Sequence, residues 1–439
     1  MTHNKYPVII IGAGITGLAA AHVLGKNCCV VEQEKEVGGL LRSFTRHGCT
    51  FDITGHWLHF RDRQIKQFVQ DILGDNLINI ERRASIYSNG ITTPYPFQAN
   101  TFGRPASVIA DCLLGYFAAR EKCPPADTTN NQNSFADFIN NKLGYGFAKH
   151  FMTPYNTKLW TVPPNEFDAR WCERFIPTPT PEEVIYGALE PSGAGHRLGY
   201  NAQFLYPKNG GIAQLVKKLK NKCTGAIYTE STVVKVDWNK QQLITANGEV
   251  FEYNSLISTA PLDALINMLI EPPNIVIDAA KNLRAASVTY WDVVLANKNQ
   301  ANDAHWTYYP DAEIAFYRVG SPSAVLPSLA PGCRTLCVEL SHPRGSNITV
   351  TTDNIIASLR AVGLIAKDET PILCEQNTIE CAYVIMDHNY GKSRNNVFDW
   401  LKNNKIFSIG RYGSWTYDSM EGAIFEGLQT AKEILINFC

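Results

Sequence analysis

The strongest constraint on this 439-residue chain is a glycine turn, Gly12-Ala-Gly14-Ile-Thr-Gly17, between the β-branched run Val8–Ile11 and the helical stretch Leu18–Leu24. The first glycine permits the tight turn, the second lets the main chain approach a pyrophosphate, and the third lets helix pack on strand. The helix start then offers free N–H groups and the positive end of its dipole to phosphate oxygens. Cys28–Val31 reads as a second strand and ends at Glu32, where a carboxylate can accept ribose hydroxyls. A lone Gly-rich loop is a weak signal; strand, turn, helix, strand and acid in register are a specific one. The unbroken apolar character of both strands is that of a parallel sheet covered on both faces.

The choice of dinucleotide rests on a second glycine turn and on a segment near the end of the chain. Gly38-Gly39-Leu-Leu-Arg42-Ser resembles the second glycine motif of the glutathione-reductase-like flavoproteins that include the amine oxidases. The late pair Gly410-Arg411, ahead of a helix, resembles the segment that lies against the flavin in the same group. The resemblance implies FAD, with Gly38, Gly39, Arg42, Gly410 and Arg411 joining Gly12, Gly14, Gly17 and Glu32 as its contacts; Gly55 and His56 are added by the resemblance described below.

Lys and Arg (40) nearly balance Asp and Glu (41), so no global field attracts nucleic acid or an anionic membrane. An anionic ligand must therefore be held by a local group of arginines. The 12 cysteines form no CxxC and no zinc-ligand spacing, so no metal site is expected and the thiols read as core residues. A reducing, cytoplasmic compartment is the simplest expectation. Met1–Pro7 is short and polar, unlike a signal peptide, and no run of about 18 apolar residues is present to span a membrane.

Apolar spacing turns helical over Gln64–Leu73, Ser107–Glu121 and Ser134–Phe151. Pro177–Tyr200, rich in proline and glycine, reads as a long loop of the lid or linker kind. Strand-like alternation marks Thr232–Val236 and Gln242–Thr245, joined by a turn at Asn239-Lys240. Val288–Ala296, Ile314–Arg318 and Thr335–Leu340 read as strands of a second sheet, and Lys405–Ile409 with Glu421–Phe438 as a closing strand and helix. The expected class is α/β: a Rossmann-like FAD-binding domain, an inserted helical domain and an antiparallel β-sheet substrate domain. The expected boundaries are residues 1–62, 205–262 and 400–439 for the first, 63–204 for the second with a mobile flap over 177–200, and 263–399 for the third.

Short motifs then accumulate that a plain flavin oxidase does not require. They are Phe51-Asp52 with Gly55-His56; Tyr95-Pro96-Phe97-Gln98; Pro154-Tyr155-Asn156-Thr-Lys158-Leu-Trp160; and Trp171-Cys-Glu173-Arg174. Further along come Asn201-Ala-Gln-Phe204, Tyr308-Tyr309-Pro310, Phe316-Tyr317-Arg318, His388-Asn-Tyr390 and Gly410-Arg411-Tyr-Gly413-Ser414-Trp415-Thr-Tyr417. Together, nearly end to end, they resemble the UDP-galactopyranose mutases, the eukaryotic type more than the bacterial.

That resemblance implies an isomerase acting on a nucleotide-linked sugar, UDP-galactopyranose and UDP-galactofuranose by default. It implies that uracil stacks on Tyr95 and meets Gln98, with Asn156 and Trp160 lining the nucleotide pocket. It places the diphosphate against Arg318, Tyr308, Tyr390 and Tyr417, a set whose fork and phenols match phosphate oxygens. Arg174 and Asn201 would lie on flaps that close over the substrate. Arg411 would sit between flavin and diphosphate, and His56 beside the isoalloxazine, so that Arg174, Arg411 and His56 form the catalytic set. In the family the reduced flavin's N5 attacks the anomeric carbon and displaces UDP, so the active cofactor is reduced FAD and the reductant expected is NADPH or another donor.

The chain departs from the family pattern at Gly391, where the proline after the tyrosine is lost, and at Glu421, where an amide is expected and a carboxylate could instead cap the final helix. Two other readings stand beside the mutase: an FAD-dependent oxidoreductase of the amine-oxidase or protoporphyrinogen-oxidase kind, and a flavoprotein that binds a nucleotide-sugar without turnover.

Overall fold

The computed structural model describes residues 3–122, 134–191, 202–296 and 304–436. Among the described residues two seven-stranded sheets organise the chain, together with two two-stranded ladders. The first sheet runs in the order Val233–Asp237, Gln242–Thr245, Val250–Ser258, His3–Ile11, Cys28–Val31, Ala226–Tyr228, with Ile406–Ser408 also paired to Val250–Ser258. His3–Ile11 lies parallel to both its neighbours, and its centre, Val8 to Ile10, has no exposed surface. The turn read at Asn239-Lys240 is an antiparallel connection, Asp237 facing Gln242. The helices Ile15–Leu24 and Met420–Ile436 cross where Gly427 meets Thr16; a Cβ on Gly427 would stand 2.4 Å from the Thr16 carbonyl oxygen. Segments from both ends of the chain and from residues 226–258 thus share one sheet.

The second sheet follows the order Leu373–Ile385, Arg284–Ala296, Cys333–Pro343, Arg318–Gly320, Trp306–Tyr308, Ala84–Ser88, Ile91–Pro94. Every pairing is antiparallel except that of Trp306–Tyr308 with Ala84–Ser88. Two of its strands come from within residues 63–204, the stretch expected to be helical. They were missed because four- and five-residue runs such as Ile91–Pro94 carry too few alternations to register. The helices of that stretch include Arg63–Leu73, Ala106–Lys122, Phe135–Lys142 and Thr153–Trp160.

Two readings need correction. Ile314–Arg318 is not a strand; pairing begins at Arg318 and ends at Gly320. Pro181–Leu189, read as part of a loop, is a helix. The Thr180 hydroxyl accepts from Glu183 N at 3.3 Å, the Glu183 carboxylate accepts from Thr180 N at 2.7 Å, and Pro181 opens the first turn. Thr-Pro-Glu-Glu is a capping box with proline at the first position, a helix start that outweighs the surrounding prolines. Gly187 seats this helix on the chain at Ala99, where a Cβ would come within 2.0 Å of the carbonyl oxygen. Residues 192–200 of the expected flap, and Asn201, lie outside the described residues.

The core of the second sheet holds one carboxyl group that costs stability. Asp292 is 2% exposed and its Oδ1 has no partner among the described residues. Burial pushes its pKa up to about 7, helped by Glu375 and Asp52 and opposed by Arg46. Between the ordinary carboxyl value and pH 7 the folded chain holds a proton that the unfolded chain has lost, so stability falls as pH rises through that window. Asp292→Asn is expected to stabilise the protein at pH 8 by on the order of 2 kcal/mol or more. The gain should fade toward pH 4, read as urea midpoints at the two pH values.

Candidate functional site

The glycine turn is folded as its sequence demands. Gly12 has φ +97°, and a Cβ on Gly17 would stand 2.0 Å from the Gly12 carbonyl oxygen. Gly14 has nothing within 4 Å of the position its Cβ would take. It is also the residue before the helix Ile15–Leu24, whose first turn has no side-chain cap. Uncapped N–H groups beside open space have the geometry of a phosphate cradle. Glu32, 6% exposed, accepts from Ala13 N at 2.6 Å and from Glu34 N at 2.9 Å, fixing the acid against the turn. The second turn packs directly on the first: Gly38 N donates to Ala13 O at 2.8 Å, and Gly14 and Gly38 form an isolated bridge. Arg42 is pinned above it, donating to Gly39 O and Glu34 at 3.0 Å each. Gly410, at φ +80°, rests on Thr16, where a Cβ would lie 2.6 Å from the hydroxyl. Cradle, acid and closing segment fit a dinucleotide laid along the first sheet.

The other half of the site is a wall of rings and arginines. Tyr95, Tyr308, Tyr155, Tyr317, Tyr383 and Tyr417 follow one another with ring centroids 5.3, 5.4, 6.3, 6.5 and 6.1 Å apart. Trp160, Trp171 and Phe175 close around Tyr417 at 5.2, 5.5 and 4.8 Å. Arg411 stands 4.8 Å over the Tyr417 ring and donates to Asp418 O and Ala382 O, leaving Nε without a partner among the described residues. Arg318 stacks at 4.3 Å on Trp306 and donates twice to Glu339, at 2.9 and 2.6 Å. Burial opposes the Arg318 charge, but Glu339 together with Tyr317 and Tyr383 more than offsets it. Burial raises Tyr155 and Tyr317 well above the ordinary phenol value, so they stay protonated donors.

His56 lies beside this wall. Thr54, at φ +58°, turns the chain after the strand Cys49–Asp52, and Gly55 follows flat against Trp306, where a Cβ would be 2.5 Å from the indole. The His56 ring is pulled down to about 4 by burial and then by Arg411, so it is neutral at pH 7. Its Nδ1 is buried without a partner among the described residues, as are Trp160 Nε1 and Trp171 Nε1. Buried polar atoms left open in this way are the natural contacts of a bound ligand.

The structure therefore brings Tyr95, Tyr308, Arg318, Trp160, Tyr417, Arg411 and His56 into one neighbourhood. Other singled-out residues are engaged elsewhere. Gln98 donates to Pro177 O at 2.6 Å, Asn156 to Met152 O at 2.7 Å, and the Tyr390 hydroxyl to Trp415 O at 2.7 Å. Arg174 belongs to the short helix Cys172–Phe175 at the rim of the wall. Glu421 stands in the first turn of the last helix and reaches across to another. Its carboxylate accepts from Arg61 N and Asp62 N, at 2.6 Å each, tying the last helix to the start of Arg63–Leu73. Gly391, the second departure, lies 3.8 Å from Arg170 at the position of a Cβ, so an added side chain would have room.

Sequence reasoning missed Arg82, Trp306 and Glu339. Arg82 donates to the Tyr308 hydroxyl at 2.6 Å and covers the Tyr95 ring at 4.7 Å. Glu339 did carry a signal, a single acid inside the apolar strand Cys333–Pro343. Among the described residues no group of three or more His, Cys, Asp or Glu could hold a metal ion.

Comparison with known proteins agrees with the cradle. Residues 15–299, well over half the chain, match the family of flavin containing amine oxidoreductases. The chain belongs to that family. A solved structure of reduced UDP-galactopyranose mutase covers 98% of this chain, and 96% of its own, with a TM-score of 0.90 at 25% identity. A putative protoporphyrinogen oxidase from Exiguobacterium sp. 255-15 shares the fold, with a TM-score of 0.74 at 15% identity over the full length of both chains. Among curated relatives, coproporphyrinogen III oxidase of Bacillus subtilis is 24% identical over 66% of this chain and 66% of its own length. UDP-galactopyranose mutase of Mycoplasma pneumoniae is 26% identical over 38% of this chain and 43% of its own. The family requires a flavin, and FAD fits the glycine cradle. No helix among the described residues is long and apolar enough to cross a membrane.

Proposed function

We propose that this protein is a flavin-dependent mutase that interconverts the pyranose and furanose forms of a nucleotide-linked sugar, UDP-galactose by default, in the cytoplasm. The observation that carries the reading is the largely buried wall in which Arg318 and Arg411 stand over tyrosine rings beside His56. A cationic amine gains nothing from two half-buried guanidinium groups, whereas a diphosphate does. The full-length likeness to a reduced UDP-galactopyranose mutase supports the same choice.

When bound and reduced, the flavin supplies the nucleophile that displaces the diphosphate from the anomeric carbon. The chain's own residues have the remaining tasks. Arg318 and Arg411 hold the diphosphate in place while it is detached, and Tyr308 and Tyr417 donate to its oxygens without adding charge. Tyr95 offers a ring face to the base. Trp160, Trp171 and Phe175 around Tyr417 keep water from the reacting carbon. Neutral His56 contributes hydrogen bonding at Nδ1 and, with a pKa near 4, no proton donation at pH 7.

The test is to incubate the purified protein with UDP-galactofuranose, with and without dithionite, and to separate the products. Conversion to the pyranose only after reduction is the expected result, and NADPH in place of dithionite examines the natural reductant. The oxidoreductase reading draws on the Bacillus subtilis relative and predicts steady oxygen consumption with a porphyrinogen and no sugar isomerisation.

A further inference from the structure

Lys158 lies on the helix Thr153–Trp160, within the motif that carries Asn156 and Trp160, yet neither the cofactor nor the proposed substrate accounts for it. Its ammonium forms no ion pair with a carboxylate of the described residues. It donates to four main-chain carbonyls: Tyr309 O at 2.9 Å, Asp311 O at 3.0 Å, Ile314 O at 2.8 Å and Phe316 O at 2.7 Å. All four belong to the connection between the strands Trp306–Tyr308 and Arg318–Gly320. One strand ends in Tyr308 and the next begins with Arg318, two residues of the wall. The connection makes few bonds of its own, Tyr309 N to Tyr317 O at 2.9 Å and Ile314 N to Asp311 O at 3.3 Å. Tyr309 and Phe316 are at most 1% exposed, so their carbonyls have no access to bulk water. On the far side the Asp311 carboxylate accepts from Ser88 Oγ at 2.6 Å and Asn89 N at 2.7 Å.

We propose that Lys158 is a positioning residue, whose ammonium in this carbonyl cage locks the 309–317 connection so that Tyr308 and Arg318 face the site together. Three N–H donors shared among four oxygens give a point charge in an oxygen shell, an arrangement that a flat guanidinium cannot reproduce and an apolar chain cannot replace. Without the charge, the buried carbonyls lose this cationic partner and the connection exchanges packed order for solvent contact. The catalytic consequence rests on the mutase reading; the structural one does not.

Two variants separate these. Lys158→Met keeps an unbranched apolar stem and removes the charge; Lys158→Ala removes the four atoms that n-propylammonium replaces. Hydrogen exchange of amides 309–318 should quicken by about tenfold or more in both variants, while the glycine cradle at 12–17 stays unchanged and flavin is retained. For turnover of UDP-galactofuranose, KM should rise by about tenfold with a smaller change in kcat, since ground-state holding of the diphosphate is what loosens. Adding n-propylammonium to Lys158→Ala should slow the exchange again and recover turnover, and n-butanol should do neither. Exchange at 309–318 that is unaltered in both variants, or recovery with butanol as good as with the amine, would overturn the proposal. Altered exchange in a protein whose wild type converts no nucleotide-sugar would leave Lys158 in its role and discard the mutase.

Discussion

Gly17→Ala is expected to yield a folded but weakened protein that purifies with little or no flavin colour. The added Cβ would stand 2.0 Å from the Gly12 carbonyl oxygen and 3.3 Å from Ile10 Cγ2, so the helix must move off the strand or the turn must open. Overpacking of this kind costs about 1–3 kcal/mol, and because the displaced atoms form the cradle, FAD affinity should fall by about tenfold to over a hundredfold. Gly14→Ala is the control. Its Cβ meets nothing within 4 Å, so the melting temperature of the apoprotein should stay at the wild-type value while FAD affinity still falls. Flavin titration by fluorescence quenching, with thermal melts of the stripped proteins, reads both quantities. Equal flavin affinity in Gly14→Ala and wild type would show that the open space beside Gly14 is not where the pyrophosphate lies.

Arg318→Met should destabilise the protein by about 3–5 kcal/mol, because it leaves Glu339, whose side chain is 2% exposed, without its charge partner. Tyr317 donates to the same carboxylate at 2.6 Å, a single neutral donor that does not compensate a full charge. The double variant Arg318→Met, Glu339→Met should recover most of that stability, since replacing both members of a buried pair by apolar groups is close to neutral. Binding of UDP, followed by isothermal calorimetry, should remain lost in the double variant. Recovery of both stability and UDP binding would assign Arg318 to structure alone and remove the main support for a diphosphate at the wall.

Much of the fold was legible because its signals are local. The glycine turn, the two strands around it and the closing helix each follow from residues within a few positions of one another, and steric demands at Gly12, Gly17 and Gly410 leave few alternatives. The capping box at Thr180 was equally local and was masked only by the prolines around it. The strands at 84–94 were not legible, being too short for period-two alternation to stand out, and their pairing partner Trp306–Tyr308 is remote in sequence.

The site divides in the same way. Sequence by itself determined that the chain binds a dinucleotide, and motif resemblance selected Tyr95, Trp160, Tyr308, Arg318, Arg411, Tyr417 and His56. Only the tertiary structure decided what each side chain does with its polar atoms. Arg318 turns to Glu339, Gln98 to Pro177 O, Tyr390 to Trp415 O, Glu421 to the amides of Arg61 and Asp62, and Lys158 to four carbonyls. The physical reason is that backbone conformation is set largely by neighbours along the chain. The partner of a buried polar group is set by whichever distant segment arrives with an unsatisfied donor or acceptor.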